Sequence, residues 1–387
     1  MIISSLLDCD HYKFTLGQWV FLNYKNIPVK YRLIIRDNNV HFQDNISQLI
    51  LSEELSEVRQ LRFGPLEIQV LRDTGVFKEE YLQFLKNLVL PDFHLYAGEN
   101  GKLILEFSGK WSEAIYWETL ALSIVNELYF EQYATPKNFT IGEERLLCKL
   151  KRFDGCGYDK VIFSDFGTRR RFSYDWHERV IDIIMSTMAK HQFLGTSNVL
   201  LSRLKHIPYI GTMAHELFMG AACICDKLED SPRVVMSTWK ELYQIKYTTL
   251  LPDTFGSQFM FDTFTEEELN DWYSFRQDSG DPFVFGDKLI EVLKKFGINP
   301  LSRTIIFSDS LNVDLIIRLY NYFRDKIKVS FGWGTNLTND LGIKPLSMVI
   351  KLVEANGRPA VKLSDDLSKA SGYWEEIIRY KKVFGYK

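Results

Sequence analysis

Hydrophobic positions in the first 150 residues recur mainly at helical spacing. They predict helices over Tyr12–Tyr24, Ile46–Leu61, Lys78–Leu88 and Ala114–Tyr133, with strands over Val29–Arg36 and Lys102–Phe107. That mixture reads as an α+β module. From about residue 158 the rhythm changes. Short apolar runs (Lys160–Phe163, Ile207–Gly211, Tyr247–Leu251, Thr304–Phe307, Lys328–Phe331) are each followed by a polar, glycine-containing turn and usually by an amphipathic helix. This alternation predicts strand–loop–helix units of a parallel sheet or barrel, so the fold class is α/β. Two of the helices carry clear end signals. Asp281 caps the first, with Pro282 at its first position, apolar Phe285, Leu289, Val292 and Phe296 along it, and Gly297 closing it. Asn312 caps the second, whose Val313, Ile316, Ile317, Tyr320 and Phe323 form one apolar stripe that reads as core packing.

The polar chemistry falls where the apolar runs end. SDFGTRRR (164–171), GTMAHE (211–216), DTFGS (253–257), SDS (308–310) and GWGTN (332–336) each follow one of them. In a (β/α) barrel the C-terminal strand ends share one face and together form the active site, whereas independent surface loops have no reason to share this placement.

Composition narrows the class. Forty-six per cent hydrophobic and 25% charged residues are ordinary globular usage. A net charge of −3 supplies no basic field for nucleic acid, which is excluded as an expected partner. The start of the chain has no basic leader and meets Asp8 and Asp10 early, while the most apolar helical stretch, Ala114–Phe130, is interrupted by Glu118, Asn126 and Glu127. No membrane association is expected. The five cysteines, Cys9, Cys148, Cys156, Cys223 and Cys225, are odd in number and lack CxxC spacing, so neither a disulfide framework nor a zinc site is indicated. These features favour the cytoplasm.

His215 is the most informative of seven histidines, because Glu216 beside it suits an imidazole with a fixed tautomer and one free nitrogen. Taken alone, such a histidine is more often structural, and no second histidine stands at metal-ligand spacing. Arg169, Arg170 and Arg171 follow an apolar run and a glycine; guanidinium forks suit phosphate or carboxylate, and positive charge at a helix start opposes its dipole. In RQDSGDP (276–282) Asp281 is explained as a cap, but Arg276 and Asp278 are not. They could hold a planar anion and, respectively, ribose hydroxyls or a metal-bound diphosphate. GWGTN can converge backbone N–H groups on a phosphate, although a plain tight turn explains it equally well. Together the set fits a phosphorylated sugar.

These same motifs, with LLDCDHYKFT (6–15) and GTSN (195–198), resemble the nicotinate phosphoribosyltransferase family across nearly the whole chain. The resemblance implies an irregular (β/α) TIM-like barrel over 151–345 packed against an N-terminal α+β sandwich domain over 1–150, completed by 346–387. It also implies roles. Tyr12 stacks on the pyridine ring, in some relatives from the neighbouring subunit, which keeps a homodimer in view; Phe166 covers the other face. Thr212 and Arg276 contact nicotinate, and Ser197, Ser308 and Asp309 join the substrate-binding set. Gly332, Gly334, Thr335 and Asn336 cradle the sugar phosphate. Asp278 faces ribose or the magnesium-bound pyrophosphate, Arg169 and Arg170 neutralise the leaving pyrophosphate, and His215, beside Glu216, is phosphorylated from ATP. The implied substrates are nicotinate, phosphoribosyl pyrophosphate and ATP, with Mg²⁺ as cofactor. Two positions depart from the family pattern: Cys9 replaces a small polar residue and Trp333 a smaller aliphatic one.

Three other readings compete. Amide-using relatives carry an acid where this chain has Ser197, and a carboxylate there would repel nicotinate. A quinolinate-type enzyme has no need of GTMAHE. An inactive barrel would not be expected to keep His215, Arg276, Asp278 and three arginines together.

Overall fold

Strand alternation builds the first sheet. In the computed structural model, which describes residues 1–36, 46–98, 103–153 and 157–386, β1 (Pro28–Ile35) pairs antiparallel with β3 (Leu103–Lys110), and β3 with β2 (Phe93–Ala97). Lys102 and Cys156 lie outside the described residues. Val29, Tyr31 and Leu33 turn inward from β1 and Leu105 and Phe107 from β3, as period-2 patterning requires. Phe107 stacks on Trp117 at 4.7 Å. The helices meet the expected positions with small shifts: His11–Tyr24, Gln48–Gln60 and Glu79–Lys86. The long stretch expected as one helix over Ala114–Tyr133 is divided instead, into Trp111–Ala114, Trp117–Phe130 and a 3₁₀ turn, Glu131–Tyr133.

The later strands are β4 (Phe163–Asp165), β5 (Phe193–Thr196), β6 (Thr249–Leu250), β7 (Ser274–Gln277), β8 (Thr304–Phe307), β9 (Lys328–Trp333), β10 (Met348–Ala355) and β11 (Arg358–Pro359). From β6 to β9 each strand runs parallel to its successor, with Thr249 opposite Ser274, Phe275 opposite Ile305 and Ile305 opposite Val329. Helices Pro282–Lys295 and Val313–Phe323 connect them. Both predicted caps are present: Asp281 accepts from the N–H groups of Phe283 and Val284 at 2.8 and 3.1 Å, and Asn312 from Leu315 at 2.9 Å. In the first helix Ile290 and Leu293 are buried rather than Val292 and Phe296, a shift of the apolar stripe around the same axis. The chain is therefore α/β, a parallel sheet of strand–loop–helix units with a separate antiparallel sheet, as the rhythm predicts.

Three expected strands are shorter or displaced, and of Tyr247–Leu251 only the two residues of β6 remain. Ile207–Gly211 forms only a parallel bridge, Tyr209 with Thr196, and the run at Lys160–Phe163 becomes a strand three residues later, so that Ser164 and Asp165 belong to β4. Contacts group the chain into two compact units. One comprises Met1–Lys160, Ser164–Gly211 and Trp333–Lys351; the other comprises Val161–Phe163, Thr212–Gly332 and Leu352–Lys387. No described helix is long and apolar enough to cross a membrane.

Candidate active site

In the second unit, the loops after the parallel strands converge on one imidazole. His215 is the first residue of helix His215–Ile224. Its Nδ1 lies 3.0 Å from Thr254 Oγ1, just after β6, and its Nε2 lies 3.0 Å from Asp278 Oδ2, just after β7. Lys362 Nζ, from the segment after β11, is 2.9 Å from the same Nε2. Asp253 Oδ1 stands 3.9 Å from Nδ1. The acids at the ring thus come from other loops, while Glu216 is buried one residue along the helix.

Arg276, in β7, organises the other side of Asp278. Its Nη1 donates to Thr212 Oγ1 at 2.7 Å and to the Met213 carbonyl at 3.1 Å, its Nε to Ser308 Oγ at 2.9 Å, and its Nη2 pairs with Asp278 Oδ1 at 2.8 Å. Ser308 in turn donates to Asp278 Oδ1 at 2.7 Å. Asp309 pairs with Lys369 at 2.5 Å. The planar fork needs several acceptors fixed at once, and two strand ends plus GTMAHE supply them. Five sequence-derived candidates, Thr212, His215, Arg276, Asp278 and Ser308, therefore form one connected network.

Its electrostatics favour a neutral imidazole. Burial, followed by the Lys362 ammonium, lowers the proton affinity of His215 against the opposing pull of Asp253 and Asp278. Burial alone would raise Asp278, but Arg276, His215 and Lys362 outweigh it and hold the carboxyl well below its ordinary range. Burial likewise lowers Lys362, opposed by Asp253 and Asp278.

The first unit holds a second polar network. Tyr12 is buried, donates to Glu118 Oε2 at 3.2 Å, and lies under the Arg169 guanidinium at 5.4 Å. Arg169 also pairs with Glu118 at 2.8 Å and Asp10 at 3.3 Å, and buried Lys13 pairs with Glu118. Burial pushes Glu118 up, yet Lys13 and Arg169 bring it down to about 2. Ser197 donates to Asp10 Oδ1 at 2.6 Å and shares a hydrogen bond with Thr168 at 3.3 Å. A carboxylate therefore already stands beside Ser197, contributed by Asp10. Of the three arginines, Arg171 is fully buried in a bidentate pair with Asp8 at 2.6 and 2.7 Å, which explains it structurally; Arg170 is half-buried, and its carbonyl accepts from Asn339 at 3.0 Å.

The glycine loop after β9 is braced within the same unit. Phe166 N–H donates to the Trp333 carbonyl at 2.9 Å, and a Cβ on Gly334 would meet the Phe166 carbonyl at 3.2 Å. Lys149 donates to the Asn336 carbonyl, pairs with Asp340 at 2.7 Å and lies 5.9 Å over the Trp333 ring. Trp333 is fully buried against Phe153, so the indole packs inward. Leu337 N–H closes on the Gly334 carbonyl at 2.8 Å, which turns Thr335 into the first residue of a short helix, Thr335–Thr338.

Comparison with known proteins decides the family. The model of the nicotinate phosphoribosyltransferase (NAPRTase) family matches residues 161–387, and that of its N-terminal domain matches residues 7–126. The chain belongs to the nicotinate phosphoribosyltransferase family. A nicotinate phosphoribosyltransferase of Ralstonia nicotianae is 36% identical over 398 residues, covering 100% of both chains. Solved nicotinate phosphoribosyltransferase structures from Porphyromonas gingivalis and Vibrio cholerae superpose with TM-scores of 0.92 and 0.91 at 29% and 30% identity. They cover 99% and 100% of this chain, and 100% and 94% of their own.

Sequence reasoning missed Lys362, Asp253, Thr254 and Asp10. DTFGS marked the second and third only as a strand-end motif. Lys362 carries no such signal, since it follows no long apolar run and stands beside no glycine turn.

Proposed function

We propose that this member of the family forms nicotinate mononucleotide and pyrophosphate from nicotinate and phosphoribosyl pyrophosphate, in a salvage route to NAD, and that ATP assists it as in a ligase by phosphorylating His215. The observation that carries the ATP role is the imidazole itself: buried, held at both nitrogens, and biased to the neutral form whose lone pair can attack phosphorus. Arg276, its guanidinium fixed by Thr212, Ser308 and Asp278, is the group for the nicotinate carboxylate, with Tyr12 and Phe166 as ring contacts. Positive charge builds on the sugar as the ring nitrogen attacks the anomeric carbon, so catalysis comes from positioning and from neutralising the pyrophosphate, with little acid–base work. Gly332, Gly334, Thr335 and Asn336 are assigned to the sugar phosphate, Asp309 to the substrate, and Arg169 and Arg170 to the leaving group.

Among the described residues, no three His, Cys, Asp or Glu side chains are arranged as a metal cage. Mg²⁺ that arrives on a sugar pyrophosphate needs only one or two protein carboxylates, and Asp278 with its Oδ2 toward His215 supplies one, so the residues fit. Bound there, Mg²⁺ would offset charge on the departing pyrophosphate. A cytoplasmic homodimer is part of this reading.

The test is product identification by mass after incubation with phosphoribosyl pyrophosphate, Mg²⁺ and nicotinate, nicotinamide or quinolinate in parallel, each with and without ATP. Nicotinate mononucleotide, formed faster with ATP, is the expected result. Consumption of nicotinamide with nicotinate untouched overturns the substrate assignment, and no product from any of the three makes the chain a binding protein.

A further inference from the structure

Burying an ammonium is costly unless something compensates it, which makes Lys362 informative. It is 7% exposed, and its backbone is fixed by an antiparallel bridge to Ser371. The next residue, Leu363, donates its N–H to the Thr254 carbonyl at 2.9 Å, so Lys362 is tied to the segment that holds His215 Nδ1. The lysine and the ring are thus positioned by one piece of backbone.

The two edges of the ring carry opposite charge. At Nε2 the Asp278 carboxylate is matched by Arg276 at 2.8 Å, and the Lys362 ammonium stands 2.9 Å from the same nitrogen, so two cations and one carboxylate surround this edge. At Nδ1 stands the Asp253 carboxylate, whose Oδ1 is buried, 3.9 Å away and without a hydrogen-bond partner. A phosphoryl group carrying roughly two negative charges is drawn to the first edge and repelled from the second.

We propose that Lys362 is a catalytic residue of histidine phosphorylation: its ammonium binds the phosphoryl group as it passes from ATP to His215 Nε2 and retains it there. This rests on reading His215 as the phosphate acceptor. The Nε2 lone pair forms the N–P bond, the bond from the γ-phosphorus to its bridging oxygen breaks, and ADP leaves with that electron pair. This requires the tautomer with its proton on Nδ1, donated to Thr254 Oγ1 at 3.0 Å, in which Nε2 accepts from Lys362 and the Asp278 carboxylate is balanced by Arg276 and Lys362 rather than by a ring N–H. The positive charge the ring then bears faces Asp253. Hydrolysis reverses the state: water adds at phosphorus, the N–P electrons return to Nε2, and inorganic phosphate departs.

The full-length protein is incubated with γ-labelled ATP and Mg²⁺, and acid-labile phosphate per chain is followed for wild type, Lys362→Met, Lys362→Gln and Lys362→Arg, with circular dichroism and melting as folding controls. Both charge-free variants should label at least about tenfold more slowly, the scale of a lost charge-assisted hydrogen bond, with KM for ATP moving less than the rate; Lys362→Arg should recover much of the loss. Wild-type labelling in a folded charge-free variant overturns the proposal. So does Lys362→Arg as defective as the charge-free forms, because shape rather than charge would then be the requirement. A wild-type protein that takes no label removes the phosphohistidine reading and this one together, while mononucleotide formation in a parallel sample supplied with nicotinate and phosphoribosyl pyrophosphate tells that failure apart from loss of the transferase reading.

Discussion

Replacing Ser197 with Asp places a second carboxylate against Asp10. The serine is 3% exposed and Asp10 2%, and the hydroxyl lies 2.6 Å from Asp10 Oδ1, so a new carboxylate at this position has no solvent to escape into. Two charges about 4 Å apart at an effective dielectric of about 20 repel by about 4 kcal/mol. The lost serine donor adds to this, since a hydrogen bond to a charged group contributes about 1.5–3 kcal/mol. Protonation of one acid relieves the repulsion at about 1.36 kcal/mol for each pH unit above its ordinary value of about 3.9, which caps the net cost at about 5.5 kcal/mol at pH 8. With an unfolding entropy of about 2.1 cal/mol/K per residue, that is a drop in Tm of about 7 °C for this chain. Asp10 already has its proton affinity raised, by burial first and against Arg169 and Ser197. The pair in the variant therefore binds a proton more tightly folded than unfolded, and the deficit must shrink as pH falls from 8 toward 5. Ser197→Ala, which loses the donor without adding charge, should show a smaller drop with much less pH dependence. Calorimetric melts of the three proteins across pH 5–8, with nicotinate kinetics alongside, make the test. A Ser197→Asp protein that melts like wild type at pH 8 but uses nicotinate poorly would refute this account and return Ser197 to the substrate-facing role expected from the sequence.

His215→Ala should abolish ATP stimulation and acid-labile labelling while leaving a slower, ATP-independent transfer; a variant still fully stimulated by ATP removes His215 from the mechanism. Arg276→Met breaks a largely buried ion pair with Asp278 and should raise KM for nicotinate about 10- to 100-fold. Arg276→Lys should not rescue it, because one ammonium cannot reach Thr212, Ser308 and Asp278 together; full rescue contradicts the fork argument. Asp365 is pushed up to about 6, by burial first and then by Asp253. For an acid with a raised folded value, stability is present while it is protonated and is lost as pH rises through about 4 to 6. Asp365→Asn should therefore be more stable than wild type at pH 8 by at most about 3 kcal/mol, with no gain below pH 4, as read from urea midpoints at the two pH values; equal gains at both would remove the titration as the cause.

What the sequence determined alone was local or repetitive. Apolar runs ending in polar turns gave the parallel strands, and Asp281 and Asn312 announced their helices, because capping and periodicity depend on neighbours a few residues away. The motif set also pointed to the family. Tertiary structure decided which charges meet. The three arginines read as one anion-binding cluster, yet Arg171 is buried against Asp8, more than 160 positions away in the chain. Ser197 read as the absence of a carboxylate, yet Asp10 supplies one. His215 read as paired with Glu216, whereas the groups on its ring are Asp278, Thr254, Asp253 and Lys362, drawn from three other loops. The reason is the same in each case. Charge interactions in a buried site fall off over a few ångströms and pay no heed to chain separation, so which charges neutralise one another is settled only once the fold has brought distant loops together.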